Sequence, residues 1–118
     1  MSPRSAGSGS PSHVASLFAA LGDETRLALV DHLGSEGPRS ITQLTAESGV
    51  TRQAVTRHLE ILAEAGLARD SRRGRERIWR LETGQLDEAR RLLDQIAAQW
   101  DAAIERLARF VEDDQGRD

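Results

Sequence analysis

The sequence contains no cysteine, no lysine and no tyrosine. Without cysteine there are no disulfide bonds, thiolate metal ligands or cysteine nucleophiles, and this composition is typical of the cytoplasm, where we expect the protein to work. No apolar run approaches the ~20 residues that cross a bilayer, and the N-terminus lacks the pattern of a secretory signal. We therefore expect no membrane partner.

Aromatic residues are few, and the motifs of enzymes are missing. There is no glycine-rich phosphate loop, no cluster of metal ligands and no nucleophile motif. We therefore expect no catalytic residues, no metal and no cofactor. The chain has 118 residues, of which 38% are hydrophobic, so it has room for one domain with one modest core.

The net charge of −3 hides an uneven distribution along the chain. Residues 1–38 carry a net charge of −2, residues 39–80 carry +4, and residues 81–118 carry −5. All sixteen basic residues are arginine, whose planar guanidinium can form two hydrogen bonds with a phosphate or a guanine edge. The arginine usage fits a GC-rich genome equally well. The basic middle third is the part that suits a nucleic-acid partner.

The first third of the sequence predicts a tail and two helices. Residues 1–11 are rich in serine, glycine and proline, so we expect a disordered tail. Apolar residues at helical spacing predict a helix over residues 12–21. Asp23 caps a second helix, which ends in a turn at residues 34–38. We expect the apolar stripe of this second helix to consist of Leu27, Val30 and Leu33.

The middle third predicts a helix-turn-helix. Ser40, with a glutamine three residues later, forms a capping box at the start of a short helix, which ends at Gly49. Thr51 caps a longer helix over residues 52–65. The inward-facing residues of this longer helix are Val55, Leu59 and Leu62. Two helices joined by a tight turn with a glycine are typical of a helix-turn-helix.

A β-hairpin follows the second of these helices. Two short runs, residues 67–72 and 75–81, flank a turn at Gly74 and the residue before it, where glycine supplies the positive φ that a tight hairpin needs. Trp79 and Leu81 share one strand face, and we expect them to pack on the core. The pattern predicts a mainly α fold with a small β-hairpin (α+β), which is a winged helix-turn-helix.

The last third predicts one long helix with an uninterrupted heptad stripe. The stripe consists of Leu86, Ala89, Leu93, Ile96, Trp100, Ala103, Leu107 and Phe110. Over about 24 residues the helix would measure about 36 Å, which is too long for so small a core to cover. A second copy is the natural cover, and the alternative is a helix that folds back on its own domain. We expect a folded domain over residues 12–111 and an acidic tail over residues 112–118.

Three segments carry a resemblance to a known family. They are LFAALGDETRLALVDHL (residues 17–33), GVTRQAVTRHLEILAEAGLARD (residues 49–70) and RRGRERIWRL (residues 72–81). In this order and spacing the chain resembles the ArsR-type winged helix-turn-helix repressor family. The resemblance implies a homodimer that uses the first and last helices as its interface, binds an inverted-repeat operator in double-stranded DNA and represses transcription.

Many members of that family sense metals, and this sequence departs from them. Where those members have two cysteines separated by one residue, this chain has Ser40 and Thr42. A second family site uses histidine and acidic residues on the terminal helix, which here contains no histidine. The chain therefore resembles the metal-free branch of the family, and its effector, a small molecule or a protein, is left open.

The helix after the turn presents polar residues away from its apolar stripe. Such a helix shows its N-terminal turns to base edges in the major groove, where arginine suits guanine and glutamine suits adenine. We expect DNA contacts from Ser40, Thr51, Arg52, Gln53, Thr56 and Arg57. His58 lies at the edge of the stripe, where a structural role or a phosphate contact is favoured over a pH switch or a metal ligand. The alternative for the whole set is a polar face that is merely solvated.

The hairpin tip carries a cluster of four arginines that suits phosphates or the minor groove, where negative potential concentrates. These arginines are Arg72, Arg73, Arg75 and Arg77. The alternative is a role in solubility alone.

The expected dimer interface joins the first helix to the heptad stripe. It consists of Val14, Leu17, Phe18, Leu86, Leu93, Ile96, Trp100, Leu107 and Phe110. Trp100 could instead line an effector pocket. For the whole chain, the alternative function is a winged-helix module that contacts proteins and does not bind DNA.

Overall fold

Five helices and three short strands follow one another along residues 11–115, the part of the chain that the structure, a computed structural model, describes. In chain order they are α1 (Pro11–Leu21), α2 (Glu24–Glu36), β1 (Arg39–Ser40), α3 (Ile41–Ser48), α4 (Arg52–Glu64), β2 (Ala68–Arg73), β3 (Glu76–Leu81) and α5 (Gly84–Gln115). The expected fold class is confirmed. The expected disordered tail lies outside the described residues except for Pro11, which begins α1.

Polar side chains cap three of the helices, as the sequence predicts. Asp23, Ser40 and Thr51 each accept a hydrogen bond from the backbone N–H three residues later, at the starts of α2, α3 and α4. These bonds satisfy N–H groups that have no partner inside a helix. Gly49 closes α3 with a φ of 75°, a left-handed conformation that glycine adopts without steric cost.

The second helix differs from its prediction in length and in orientation. It continues through Gly34 to Glu36, so the expected turn is shorter than the sequence suggests. The prediction that Leu27 lies on its inner face is wrong, because the Leu27 side chain is 54% exposed, whereas Leu29 and Leu33 are buried. Leu27 and Leu29 are two residues apart and therefore point about 160° apart around the helix.

The strands form one antiparallel sheet in the order β1-β3-β2. Arg73 pairs with Glu76, so the hairpin turn consists of Gly74 and Arg75, one residue later than expected. The positive φ of Gly74, 66°, is confirmed. Strand β1 is absent from the sequence prediction because its two residues are too few to show alternation. Its pairing with β3 ties the start of α3 to the wing.

The core lies between the first four helices and the inner face of the hairpin. Trp79 is 1% exposed, and Leu81 is partly buried against the same cluster, which confirms their expected packing. The other large side chains with almost no exposure are Val14, Leu17, Leu29, Leu44, Val55, Leu59, Leu62 and Leu67.

The last helix joins this core only at its beginning. Leu86, Ala89 and Leu92 pack against the cluster, while nearly every side chain from Leu93 onward is exposed. Residues 112–115, expected as a tail, continue the helix to Gln115, and residues 116–118 lie outside the described part. The protein is therefore elongated, measuring 77 × 41 × 20 Å. Within residues 11–115, no helix has both the length and the apolar character of a membrane span.

A pair of leucine substitutions in α2 tests the orientation of this helix. Leu29→Ala should lower the free energy of unfolding by about 2–5 kcal/mol because it opens a cavity in the core. Leu27→Ala, the matched control, should change it by less than about 0.5 kcal/mol. Chemical denaturation of both variants at one protein concentration measures the difference. Equal losses would contradict the observed orientation.

Candidate nucleic-acid interface

The polar face of α4 is held outward by the burial of the opposite face. Val55, Leu59 and Leu62 are fully buried, and their spacing places them on one side of the helix. The other side forms one open surface lined by Arg52, Gln53, Thr56, Arg57 and Glu60. The structure thus brings four of the expected DNA contacts together. Glu60 is absent from the sequence prediction, although its place four residues after Thr56 is the signal that could have found it.

The hydroxyl groups at the start of α4 are engaged within the helix. Thr51 Oγ1 accepts a backbone N–H at 3.1 Å as the N-cap, and the Thr56 hydroxyl donates to the carbonyl oxygen of Arg52 at 2.8 Å. Among the described residues, no side-chain partner is found for Gln53 or Arg57. These two side chains are therefore the ones best able to contact a ligand.

Ser40 stabilises the start of α3 and does not reach outward. Its hydroxyl accepts the backbone N–H of Gln43 at 3.1 Å, and its own backbone N–H donates to Oε1 of Gln43 at 3.0 Å. The side chain is buried, with 6% exposed, so the expectation of a direct DNA contact from it is not supported by this geometry. Thr42 is exposed instead, and its Oγ1 lies 3.4 Å from Nη1 of Arg52.

The four wing arginines fall into two groups. Arg77 Nε donates to Oδ2 of Asp70 at 2.9 Å, and its Cζ lies 4.9 Å from the centroid of the Trp79 ring. The structure thus places Arg77 against its own domain. The other three are exposed, and no acidic partner is found for them among residues 11–115. They are Arg72, Arg73 and Arg75.

A cavity of about 530 Å³ lies between the wing and the start of α3. Its lining contains three arginines and no acidic residue, which suits an anion such as a phosphate. The lining residues are Pro38, Ser40, Gln43, Ser71, Arg72, Arg73, Ile78 and Arg80. Arg80, which lies on the strand face of Ile78, is absent from the sequence prediction, and its Nε also donates to Oε2 of Glu82 at 3.3 Å. The strand alternation that places Trp79 and Leu81 inward could have found it.

His58 lies behind α4, away from the polar surface. Its Nδ1 is 3.2 Å from Nη1 of Arg26 and 3.7 Å from Oδ2 of Asp23, both near the start of α2. The hydrogen bond from the backbone N–H of Arg26, with a smaller contribution from the charge of the Arg26 guanidinium, holds the pKa of Asp23 below its ordinary value. Of the two alternatives for His58, these contacts favour the structural one over a phosphate contact.

The residues expected at a dimer interface occupy two different environments. Val14 and Leu17 are buried in the core of the single chain, so their assignment to an exposed interface needs correction. Leu86 is partly buried against the same core. The remaining six are exposed by 39% to 69% of their side chains. They are Phe18, Leu93, Ile96, Trp100, Leu107 and Phe110. Ile104 and Val111 are also exposed apolar residues of α5, and they are absent from the sequence prediction because they fall outside the strict heptad positions.

Comparisons with known proteins agree with this geometry. Residues 21–70 match the model of a helix-turn-helix domain. The chain is 34% identical over 101 residues to the HTH-type transcriptional regulator Rv2034 of Mycobacterium tuberculosis, a match that covers 86% of this chain and 90% of that protein.

Two solved structures extend the comparison. An ArsR-like transcriptional regulator from Rhodococcus sp. RHA1 superposes with a TM-score of 0.74 and 33% identity over 84% of this chain and 92% of that one. The homodimeric winged helix-turn-helix DNA-binding domain Mb0332 from Mycobacterium bovis superposes with a TM-score of 0.58 and 23% identity over 80% of this chain and 84% of that one. This second likeness is one of fold.

The two groups of wing arginines should differ in their effect on stability. Arg77→Ala should lower the free energy of unfolding by about 1 kcal/mol, because it removes an ion pair and a cation–π contact. Arg75→Ala, at the exposed turn, should change it by less than about 0.5 kcal/mol. Thermal unfolding of the two variants at equal concentration provides the measurement. A larger loss for Arg75→Ala would show that the wing packs differently.

Proposed function

Because the chain belongs to the ArsR-like family of helix-turn-helix transcriptional regulators, we propose that it acts as a homodimeric repressor that binds an inverted-repeat operator in double-stranded DNA. The observation that carries this proposal is the open polar surface of α4, whose opposite face is fully buried. A helix held in this way can enter the major groove with a defined side toward the base edges.

Within that surface, Gln53 and Arg57 are best suited to read bases. Their side chains extend from the first two turns of α4, which are the turns that reach base edges in this mode of binding. Glutamine can form two hydrogen bonds with adenine, and arginine can form two with guanine. Thr51 and Thr56 have their hydroxyl oxygens engaged inside the helix. We therefore assign these threonines to packing against the DNA backbone or a thymine methyl group.

The wing supplies attraction to the phosphate backbone. The side chains of Arg72, Arg73 and Arg75 are exposed, and the first two also line the cavity beside the start of α3. Arginines in such a position neutralise phosphates and release counterions, which raises affinity for all sequences alike. The wing then contributes affinity, and α4 contributes the choice of sequence.

The exposed part of the heptad stripe on α5, from Leu93 to Phe110, supports the homodimer and is called the seam below. Large apolar side chains such as Trp100, 66% exposed, and Phe110, 69% exposed, follow one another along the helix beyond the core. A contiguous apolar surface of this kind marks an interaction site, and the helix does not fold back on its own domain to cover it. Phe18 on α1, which packs beside α5, adds to the same surface. The homodimeric state of the fold neighbour Mb0332 is consistent with a second copy as the cover.

The inverted repeat and the repressor role follow from this assembly. A dimer with twofold symmetry presents two copies of α4, which read half-sites of opposite orientation about one helical turn of DNA apart. A dimer seated on such a site beside a promoter blocks transcription. Release would require an effector, a small molecule or a protein, whose binding changes the dimer.

Selection from random duplexes tests whether the chain reads sequence. The wild-type protein is used to select from duplexes with a random region of roughly 20 base pairs, long enough for two half-sites. We expect enrichment of an inverted repeat. Arg57→Ala should cost about 1–3 kcal/mol on the enriched duplex and relax the preference at one position. On a scrambled duplex of the same composition it should have little effect.

The matched variant for the wing is Arg75→Ala. It should weaken binding to the enriched and scrambled duplexes about equally and reduce the magnitude of the salt slope by about 1. Binding isotherms at several salt concentrations separate the two roles. If Arg57→Ala weakened binding to both duplexes equally and Arg75→Ala weakened only the enriched one, the roles assigned to α4 and the wing would be reversed. If no duplex is enriched and neither variant changes affinity, the chain is an interaction module and not a DNA-binding protein.

Sedimentation measures the proposed dimer. The wild-type chain at micromolar concentration should sediment with about twice the monomer mass of 12.9 kDa. Trp100→Asp should shift it toward monomer because it buries an unpaired charge in the seam. Ala98→Asp places the same charge on the exposed face away from the heptad seam and should leave the mass unchanged. A wild-type monomer, or an equal effect of the two substitutions, would contradict an α5 interface.

A further inference from the structure

The side chain of Arg26 connects three helices. It lies in the first turn of α2, where its backbone N–H donates to the capping carboxylate of Asp23 at 3.0 Å. Its Nε donates to the carbonyl oxygen of Ala20 in the last turn of α1, at 2.6 Å. Its Nη1 lies 3.2 Å from Nδ1 of His58 in the middle of α4. One residue therefore contacts the end of one helix, the start of a second and the back of a third.

Only a guanidinium can make these contacts together. Nε and Nη1 are separate donors held in a rigid plane, whereas the ammonium of lysine is a single centre on a flexible chain. The carbonyl of Ala20 is among the last four of α1, which have no partner inside the helix. Arg26 thus satisfies an otherwise unpaired group in α1 with one nitrogen and reaches α4 with another. The α1 and α4 helices are coupled through it.

His58 receives this contact on the side of α4 that faces away from the polar surface. Thr56, on the surface, and His58 are two residues apart and point about 160° apart around the helix. A guanidinium has no acceptor atom, so Arg26 donates and Nδ1 of His58 accepts in the hydrogen bond between them. Asp23, the nearest acidic group, lies 3.7 Å from the same Nδ1. A displacement of His58 would therefore move the polar surface on the opposite side of α4 with it.

We infer that Arg26 is a positioning residue for DNA recognition, which sets the orientation of α4 relative to α1 by means of His58. This role rests on the proposed binding of DNA by α4. The role of Arg26 adds a connection between α1 and α4 to the proposed contact of α4 with DNA. Since α1 packs beside α5, a change at the proposed dimer surface reaches the recognition helix through Arg26. The alternative is that Arg26 only stabilises the junction of α1 and α2.

Nuclear magnetic resonance of the free protein tests the coupling without DNA. Arg26→Gln should change the backbone amide shifts of α4 around residues 55–60 as well as those at the end of α1. Arg109→Gln, which removes the same charge from an exposed site on α5, should leave α4 unchanged. His58→Ala should in turn change the amide shifts at the end of α1. Shifts that stay confined to residues 20–30 in Arg26→Gln would overturn the inference.

Binding to the duplex enriched by the wild-type protein is the second measurement. Arg26→Gln and His58→Ala should each weaken this binding about tenfold, the lower end of what one hydrogen bond to a charged group contributes. The double variant should be no weaker than either single one, because both substitutions remove the same contact. His58→Asn, whose side-chain oxygen can accept the bond in place of Nδ1, should recover most of the affinity. Circular dichroism confirms that each variant is folded at the temperature used.

The outcomes separate this inference from the proposed function. Additive losses in the double variant, or no recovery by His58→Asn, would overturn the positioning role while DNA binding stands. If the wild-type protein enriches no duplex, the proposed function fails, and the inferred role in recognition fails with it. The amide shifts still decide whether α1 and α4 are coupled. If Arg26→Gln does not fold, Arg26→Lys retains the charge and should show the same loss of coupling to α4.

Discussion

The burial of three aliphatic side chains in α4 is the constraint on which the rest of the candidate site depends. Val55, Leu59 and Leu62 are fully enclosed, and each contributes about 1.5–3 kcal/mol by leaving water. The helix cannot rotate about its axis without returning one of them to solvent. Its opposite face must therefore remain outward, and the N-cap at Thr51 determines where along the chain that face begins. Base-reading side chains need such a defined orientation, because hydrogen bonds tolerate little displacement.

Contacts within the protein decide which arginines are available to DNA. A count of charges makes the four wing arginines equivalent, but Asp70 and the ring of Trp79 engage Arg77. The arginines at the turn and on the outer strand face remain solvated. Arg80 lines the cavity beside α3, but its Nε also donates to Oε2 of Glu82 at 3.3 Å. The net charge of −3 is therefore a poor guide to the interface. Attraction to phosphate acts over about 8–10 Å at ordinary ionic strength, so the local distribution outweighs the total.

The long helix α5 lies in two different environments along its length. Its first turns complete the core through Leu86 and Ala89, while the same heptad series continues on an exposed surface that includes Trp100 and Phe110. One periodic pattern thus continues from a contact within the chain onto a surface that we propose as an intermolecular one. Hydrophobic spacing indicates that a helix face is buried, but it does not indicate whether the face is buried against the same chain or against another one. Only the place where the domain ends, near Leu93, separates the two cases.

Local signals in the sequence were sufficient for the helix-turn-helix and the hairpin. Caps such as Ser40 and Thr51, the positive φ of Gly74 and the stripe of α4 are set by neighbours a few residues away, so they can be read in one dimension. Tertiary structure decided what depends on distant partners. Strand β1 forms because β3 lies beside it, and Leu27 faces solvent because the core meets another side of α2. The role of His58 likewise depends on a residue 32 positions away along the chain. Sequence spacing carries no information about such contacts, because the fold alone brings these groups within hydrogen-bonding distance.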